Sequence, residues 1–292
     1  MSTTHAQFRQ RAEDLAQPLP HLLAEAEHLA QAVLLGAHGR RRAGMGDEFW
    51  QYRPASAGDA VRMIDWRRSA RSDTHYVREK EWQAAQSVLV WVDTAQSMDF
   101  ASDAKLETKA YRAKVLALAI SVLLIHGGER VALAALGTPP RSSELQLLRI
   151  AQSFADQTPG LDYGVPELRT IPPHSRALMV SDFMGDLAVV ELQLGKAVDR
   201  GVKGVLYQIL DPQEEAFPFD GRTIFESMGK TLSHETLKAG DLRDRYLERL
   251  AERKAALADL AREAGWQYAC HHTGDSAQSA LLWLYGALER RR

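Results

Sequence analysis

Residues 87–97 read Ser-Val-Leu-Val-Trp-Val-Asp-Thr-Ala-Gln-Ser. The unbroken apolar run at 88–92, rich in β-branched residues, has the character of a strand covered on both faces, as in the middle of a parallel sheet. It stops abruptly at Asp93, and a helical segment follows from about residue 104. In open α/β sheets, ligands lie beyond the carboxyl ends of the strands. Asp93 stands at such an end and is the first candidate for function.

The rest of the chain repeats this alternation. Helical spacing over 106–126 ends at Gly127-Gly128, and strand-like runs follow at 130–136, 176–180, 203–210 and 266–271. Helical segments are expected between and after them at 143–155, 187–200, 241–264 and 276–290. Strands alternating with helices of this length predict an α/β fold, Rossmann-type, with a mostly parallel sheet and helices on both faces. A further helix is expected at 21–35, between Pro20 and Gly36. A hairpin excursion is expected near 213–235, with turn signals at Asp220-Gly221 and Gly229-Lys230. The resulting division is 1–83, an N-terminal helix with a small β/turn accessory segment, and 84–292, the α/β domain.

Composition narrows the function classes. A net charge of −2 gives no general attraction to nucleic acid or anionic membrane. The one cysteine, Cys270, leaves no intrachain disulfide and fits a reducing compartment; in its apolar strand it reads as a buried, inert thiol. Residues 1–10 are polar and lack the apolar core of a signal peptide, and the run at 115–125 is too short to span a bilayer. A cytoplasmic location is therefore expected, without membrane insertion. No phosphate loop, Walker pattern or nucleophile elbow follows Asp93.

Residues 40–81 have a different character. Ten Lys/Arg and seven Asp/Glu are interleaved with glycines and aromatics, and neither helix nor strand period dominates. Opposite charges so mixed form local ion pairs rather than a phosphate-binding stripe. One reading is a structural network of Asp59, Arg62, Asp65 and Arg71 with Trp66 packed beneath it. The other is a partner-binding surface, since Trp, Tyr and Arg are enriched at interface hot spots. Beyond one strand end, His271-His272 and Asp275 read as surface residues, and Asp211-Pro212 with Glu214 as a strand-ending turn.

The segment Gly58-Asp59-Ala-Val-Arg62-Met-Ile64-Asp65-Trp66-Arg67-Arg68-Ser-Ala70-Arg71, preceded by Tyr52-Arg53-Pro54 and followed by Val77-Arg78-Glu79 and Asp211-Pro212-Gln-Glu214, resembles the signature of the bacterial domain-of-unknown-function family 58. The resemblance spans roughly residues 30–290. It implies a von Willebrand factor type A-like domain in the C-terminal two-thirds and association with MoxR-family AAA+ ATPases.

Type A domains often hold a divalent cation at the carboxyl end of the sheet through Asp-x-Ser-x-Ser, a Thr from a second loop and an Asp from a third. Oxygen ligands of this kind suit Mg²⁺. In this chain the first loop is Asp93-Thr-Ala95-Gln-Ser97, so Ala95 replaces one hydroxyl. The second loop falls in 157–163, where Leu161 stands for the Thr and Thr158 is nearby. The third supplies Ser181-Asp182. The resemblance thus implies a degenerate metal site of Asp93, Ser97 and Asp182. The alternative is that Asp93 and Asp182 accept hydrogen bonds from loop amides or pair with an arginine. The expected function is a non-catalytic adaptor or partner of a MoxR-type ATPase, acting in complex assembly or stress response. Its rival is a metal-dependent hydrolase or phosphoryl-transfer enzyme using Asp93 and Asp182.

Overall fold

The computed structural model describes residues 19–37, 49–56, 64–70, 74–80, 85–157, 160–168, 171–226 and 233–289. In chain order the elements are α1 (Leu19–Ala37), β1 (Phe49–Pro54), α2 (Trp66–Ser69), β2 (Tyr76–Lys80), β3 (Ser87–Val92), α3 (Lys109–His126) and β4 (Arg130–Leu133). They continue with α4 (Glu144–Asp156), β5 (Arg176–Ser181), α5 (Leu187–Asp199), β6 (Lys203–Leu210), α6 (Pro212–Ala216), β7 (Thr223–Glu226), β8 (Ser233–Thr236), α7 (Arg243–Glu263), β9 (Gln267–His272) and α8 (Ala277–Glu289). The chain divides into two compact units, one of residues 1–35 and 86–292 and the other of residues 36–85.

In the larger unit, five strands form one sheet in the order β4-β3-β5-β6-β9, and every neighbouring pair is parallel. The apolar run of β3 is continuous because its two faces enter two cores. Val88, Val90 and Val92 pack with Leu116 and Ile120 of α3 and with Leu281 and Leu284 of α8. Leu89 and Trp91 face the other way, with Val190 and Leu194 of α5 and Leu257 and Ala261 of α7. Helix α3 is buried along 115–125, which accounts for its apolar run. Each such leucine or isoleucine contributes about 1.5–3 kcal/mol by leaving water. Among the described residues, no helix is long and apolar enough to cross a membrane.

Sheet order determines where a site can form. From β3 the chain crosses to β4 on one side, then returns past β3 to β5 on the other. The loops after β3 and β5 therefore part in opposite directions and leave a crevice at their carboxyl ends. Asp93 follows β3 and Asp182 follows β5, and the Asp93 amide still donates to the Val180 carbonyl (2.8 Å).

The expected elements are present, with several corrections. The helix expected from 106 starts at Lys109, because the Thr108 hydroxyl caps it by accepting from the Tyr111 amide (3.2 Å). The strand expected to reach 136 ends at Leu133 and tightens into a 3₁₀ turn. The helix α1, grouped by sequence with the accessory segment, buries Ala26, Ala30 and Val33 in the core of the larger unit. The expected hairpin is formed by β7 and β8, paired antiparallel; its Gly229-Lys230 turn lies outside the described residues.

In the smaller unit, β1 and β2 pair antiparallel and Ile64 bridges to Val77. The short α2 is closed by Ser69, whose hydroxyl donates to the Asp65 carbonyl (2.8 Å) and accepts from the Tyr76 amide (2.9 Å). Of the expected network, Asp65 and Trp66 lie within the described residues. Trp66 is 55 % exposed, with its ring edge against His75 (centroids 5.4 Å apart). Asp59, Arg62 and Arg71 lie outside the described residues.

Candidate functional site at the carboxyl end of the sheet

Asp93 is 2 % exposed, and both its carboxylate oxygens are occupied. Oδ1 accepts from the Ala95 amide (2.8 Å), an Asx-type turn that folds the loop back as it leaves β3. Oδ2 accepts from the Ser181 hydroxyl (2.6 Å). The Gly164 amide also donates to this carboxylate. Its approach is so close that a Cβ on Gly164 would stand 2.1 Å from Asp93 Oδ1, so the residue has to be glycine. Burial pushes the Asp93 carboxyl above its ordinary range, against the opposing pull of the Ser181 hydrogen bond.

The Ser181 hydroxyl accepts from the Phe183 amide (2.9 Å). Phe183 has φ 50°, a left-handed conformation unfavourable for a bulky side chain. This sharp exit from β5 aims Asp182 inward. Asp182 is 1 % exposed; its Oδ1 accepts from the Met184 amide (3.1 Å), and its carbonyl accepts from the Gln208 side chain (2.8 Å).

The other oxygen of Asp182 meets a residue that sequence reasoning missed. Lys109, at the first position of α3, has its ammonium 3.0 Å from Asp182 Oδ2 and 2.6 Å from Glu214 Oε1. The lysine is 1 % exposed. Burial alone would lower its pKa, but the charges of Asp182 and Glu214 outweigh this and the net shift is upward, so the group is an ammonium ion at neutral pH. Burial likewise raises the Glu214 carboxyl, and the lysine opposes the rise.

Glu214 is held in place by local sequence. The expected turn at Asp211-Pro212 is the start of the five-residue helix α6, closed by a capping box. Asp211 Oδ1 accepts from the Gln213 amide (2.8 Å), and Glu214 Oε2 accepts from the Asp211 amide (2.8 Å). Asp211 Oδ2 also accepts from the Ser102 amide (2.9 Å), tying α6 to the loop before α3. The Asp-Pro-x-Glu pattern was the available signal.

Asp93, Ser97 and Asp182 thus share one end of the sheet, but their donor set does not fit a divalent cation. Mg²⁺ requires near-octahedral oxygen ligands. Asp93 has its oxygens committed to three donors, Ala95 and Leu161 supply no side-chain oxygen, and Lys109 brings a positive charge against Asp182. Among the described residues, no group of three or more His, Cys, Asp or Glu is arranged to hold a metal. Thr158 lies outside the described residues.

His271 and His272 lie within β9 rather than beyond it, and depart in part from the surface reading. His271 is 5 % exposed, stacked on Tyr207 (centroids 6.0 Å apart) and 3.3 Å from an Arg112 guanidinium nitrogen. Burial first, then Arg112, lowers its pKa to about 4. His272 is half-buried and pairs with Glu215. The half-buried Cys270 thiol is pushed up to about 11, chiefly by burial, and so is a poor nucleophile at neutral pH.

Fold and site together define an open α/β domain whose switch point holds a closed, lysine-bearing polar network. The chain belongs to the DUF58 family, described as a protein of unknown function, whose model matches residues 51–256. Its five-stranded parallel sheet, with helices packed into a core on each face, is the α/β fold expected from the sequence. The chain is similar to the uncharacterized protein Rv1480 of Mycobacterium tuberculosis, 27% identical over 86% of this chain and 82% of that protein. Among solved structures it is similar to the conserved hypothetical protein BatB from Bacteroides thetaiotaomicron (14% identity, TM-score 0.39, 70% of this chain and 98% of that one). It is also similar to an aerotolerance-related membrane protein from Bacteroides fragilis (14% identity, TM-score 0.42, 70% of this chain and 98% of that one).

Proposed function

We propose that this protein is a non-catalytic, cytoplasmic binding partner of a MoxR-type AAA+ ATPase, and that it meets that ATPase through the carboxyl end of its sheet. The observation that carries this reading is the loop at 160–168. It exposes Leu161, Tyr163 and Val165 at 72, 43 and 47 %. Yet its backbone is pinned: the Leu161 and Asp162 carbonyls accept from the Gln96 and Ser97 amides (both 3.0 Å), and Gly164 seats on Asp93. Apolar side chains held out on a fixed backbone suit protein recognition, because little ordering entropy remains to be lost on binding. Membership of the family supports the class of partner.

The rival reading, hydrolysis at a metal held by Asp93 and Asp182, has less support, because the oxygens it would use are already bonded within the protein. A pull-down from native lysate tests the proposal, with and without ATP and Mg²⁺. Wild type recovers an AAA+ ATPase, and the Leu161→Asp/Tyr163→Ser double variant loses it while remaining folded. Undiminished recovery by that variant would move the contact away from the loop. Failure to recover an ATPase under any nucleotide condition would overturn the partner assignment.

A further inference from the structure

We propose that the exposed loop at 160–168 recognises a basic, amphipathic protein segment, in which Lys or Arg side chains flank aliphatic ones. This rests on the reading of that loop as the ATPase-binding face, and adds the chemistry of the segment it meets.

The surface is apolar at its centre, where Leu161, Tyr163 and Val165 stand out of the loop. Neighbouring stretches close around them. On one side the Gln96 side chain donates to the Gly160 carbonyl (3.0 Å), beside the Gln96 and Ser97 amides that hold Leu161 and Asp162. On the other, the loop after β5 lies against Tyr163, so closely that a Cβ on Gly185 would stand 2.9 Å from the Tyr163 Cβ. Helix α4 ends at Asp156, and the chain passes from there into the loop itself. The patch is therefore bordered by residues 93–104, 150–168 and 181–195.

Charge on that border has one sign. The three stretches hold nine Asp or Glu and no Lys, Arg or His, in a chain whose net charge is only −2. Asp93 and Asp182 are buried, but Asp99, Asp103, Asp156, Glu167, Asp186 and Glu191 are exposed. Three lysines stand just outside. Lys109 is committed to Asp182 and Glu214. Lys114 is half-buried, donates to the Phe154 carbonyl (3.1 Å) and lies within electrostatic reach of Asp99. Lys105 is exposed. The border thus keeps an excess of negative charge around an apolar centre.

Lys and Arg side chains suit such a surface, because their aliphatic stems can lie on apolar groups while their heads reach outlying carboxylates. The Tyr163 ring offers a cation a further face. A phosphate backbone or an anionic lipid surface would meet like charge and be repelled.

The test is fluorescence polarisation of the full chain with three synthetic peptides of equal length. One carries Leu and Lys in a helical repeat, one Leu and Glu in the same repeat, and one Ser and Lys. The Leu/Lys peptide binds and the Leu/Glu peptide does not. The Ser/Lys peptide binds about tenfold more weakly than the Leu/Lys peptide, or less. Raising NaCl from about 0.05 M to about 0.3 M weakens the Leu/Lys complex by about tenfold, because the contacting charges are at the surface. The triple variant Asp99→Asn/Asp156→Asn/Asp186→Asn removes charge at constant shape and keeps an amide oxygen to cap α5. It loses about tenfold in affinity for the Leu/Lys peptide. Equal affinity for the two Leu peptides, no binding of any peptide, or an affinity unchanged in the triple variant would overturn the proposal. The pull-down separates this inference from the reading it rests on. Full ATPase recovery by the triple variant, with loss in Leu161→Asp/Tyr163→Ser, overturns the charge preference and keeps the docking loop. Selective binding of the Leu/Lys peptide with no ATPase recovered keeps the charge preference and overturns the partner assignment.

Discussion

Replacing Lys109 by Met removes the ammonium while keeping most of the side chain's length and volume, so packing around the start of α3 is largely preserved. What is lost is the partner of two carboxylates, Asp182 at 3.0 Å and Glu214 at 2.6 Å. At an effective dielectric of about 20, Coulomb's law gives on the order of 5 kcal/mol per contact at such distances. Desolvation of the three groups offsets much of that in the wild type, but the offset is not recovered when the carboxylates stay buried without a cation. Removing one member of such a buried set costs about 3–5 kcal/mol. The loss depends on pH. Burial already raises the Glu214 and Asp93 carboxyls, and without the lysine only the hydrogen bond from the Asp211 amide opposes the rise in Glu214. The folded variant then binds protons that the unfolded chain does not, so its stability increases as the pH falls. Urea unfolding followed by tryptophan fluorescence is expected to give a deficit of about 3–5 kcal/mol at pH 8, shrinking towards pH 5. A deficit below about 1 kcal/mol at pH 8, unchanged by acid, would place Lys109 outside any buried ionic network and refute the reasoning.

Two other substitutions examine neighbouring features. Gly164→Ala puts a methyl group within 2.5 Å of all three carboxylate atoms of Asp93, so the loop at 160–168 has to move. It is expected to destabilise by about 2 kcal/mol or more and to raise hydrogen exchange in that loop; wild-type stability would refute the close approach. His271 is held neutral, its pKa lowered from 6.5 to about 4 by burial and by Arg112, with Asp275 opposing. A lowered histidine contributes stability above the unfolded value that is lost as the pH falls from 6.5 through 4, here about 3 kcal/mol. His271→Gln is expected to flatten the stability profile over that range, measured by denaturant midpoints at fixed pH values; an unchanged acid limb would refute the assignment.

The sheet was legible because local pattern and burial agree. Runs such as 88–92 and 204–207 are apolar on both faces in sequence, and both faces are covered in the structure. Asp93 and Asp182 were legible as polar residues at the ends of such runs. Lys109 was not, because its meaning lies in contacts from 73 and 105 residues away. In sequence it is one lysine before a long apolar helix; the resemblance directed attention to a metal, and the alternative to loop amides or an arginine. Gly164 was missed for a similar reason: a glycine in a loop carries no sign of the carboxylate it must approach. Glu214 was noticed but taken for part of a turn, although its spacing from Asp211 is that of a capping box.

The most direct test of the binding face is hydrogen–deuterium exchange of the full chain, alone and in complex with the ATPase recovered in the pull-down. The account predicts added protection at 160–168 and at 94–103, with β3 and β5 unchanged because they are already slow to exchange. Protection confined to α7, α8 or the β7–β8 hairpin, with the carboxyl-end loops unaffected, would contradict it.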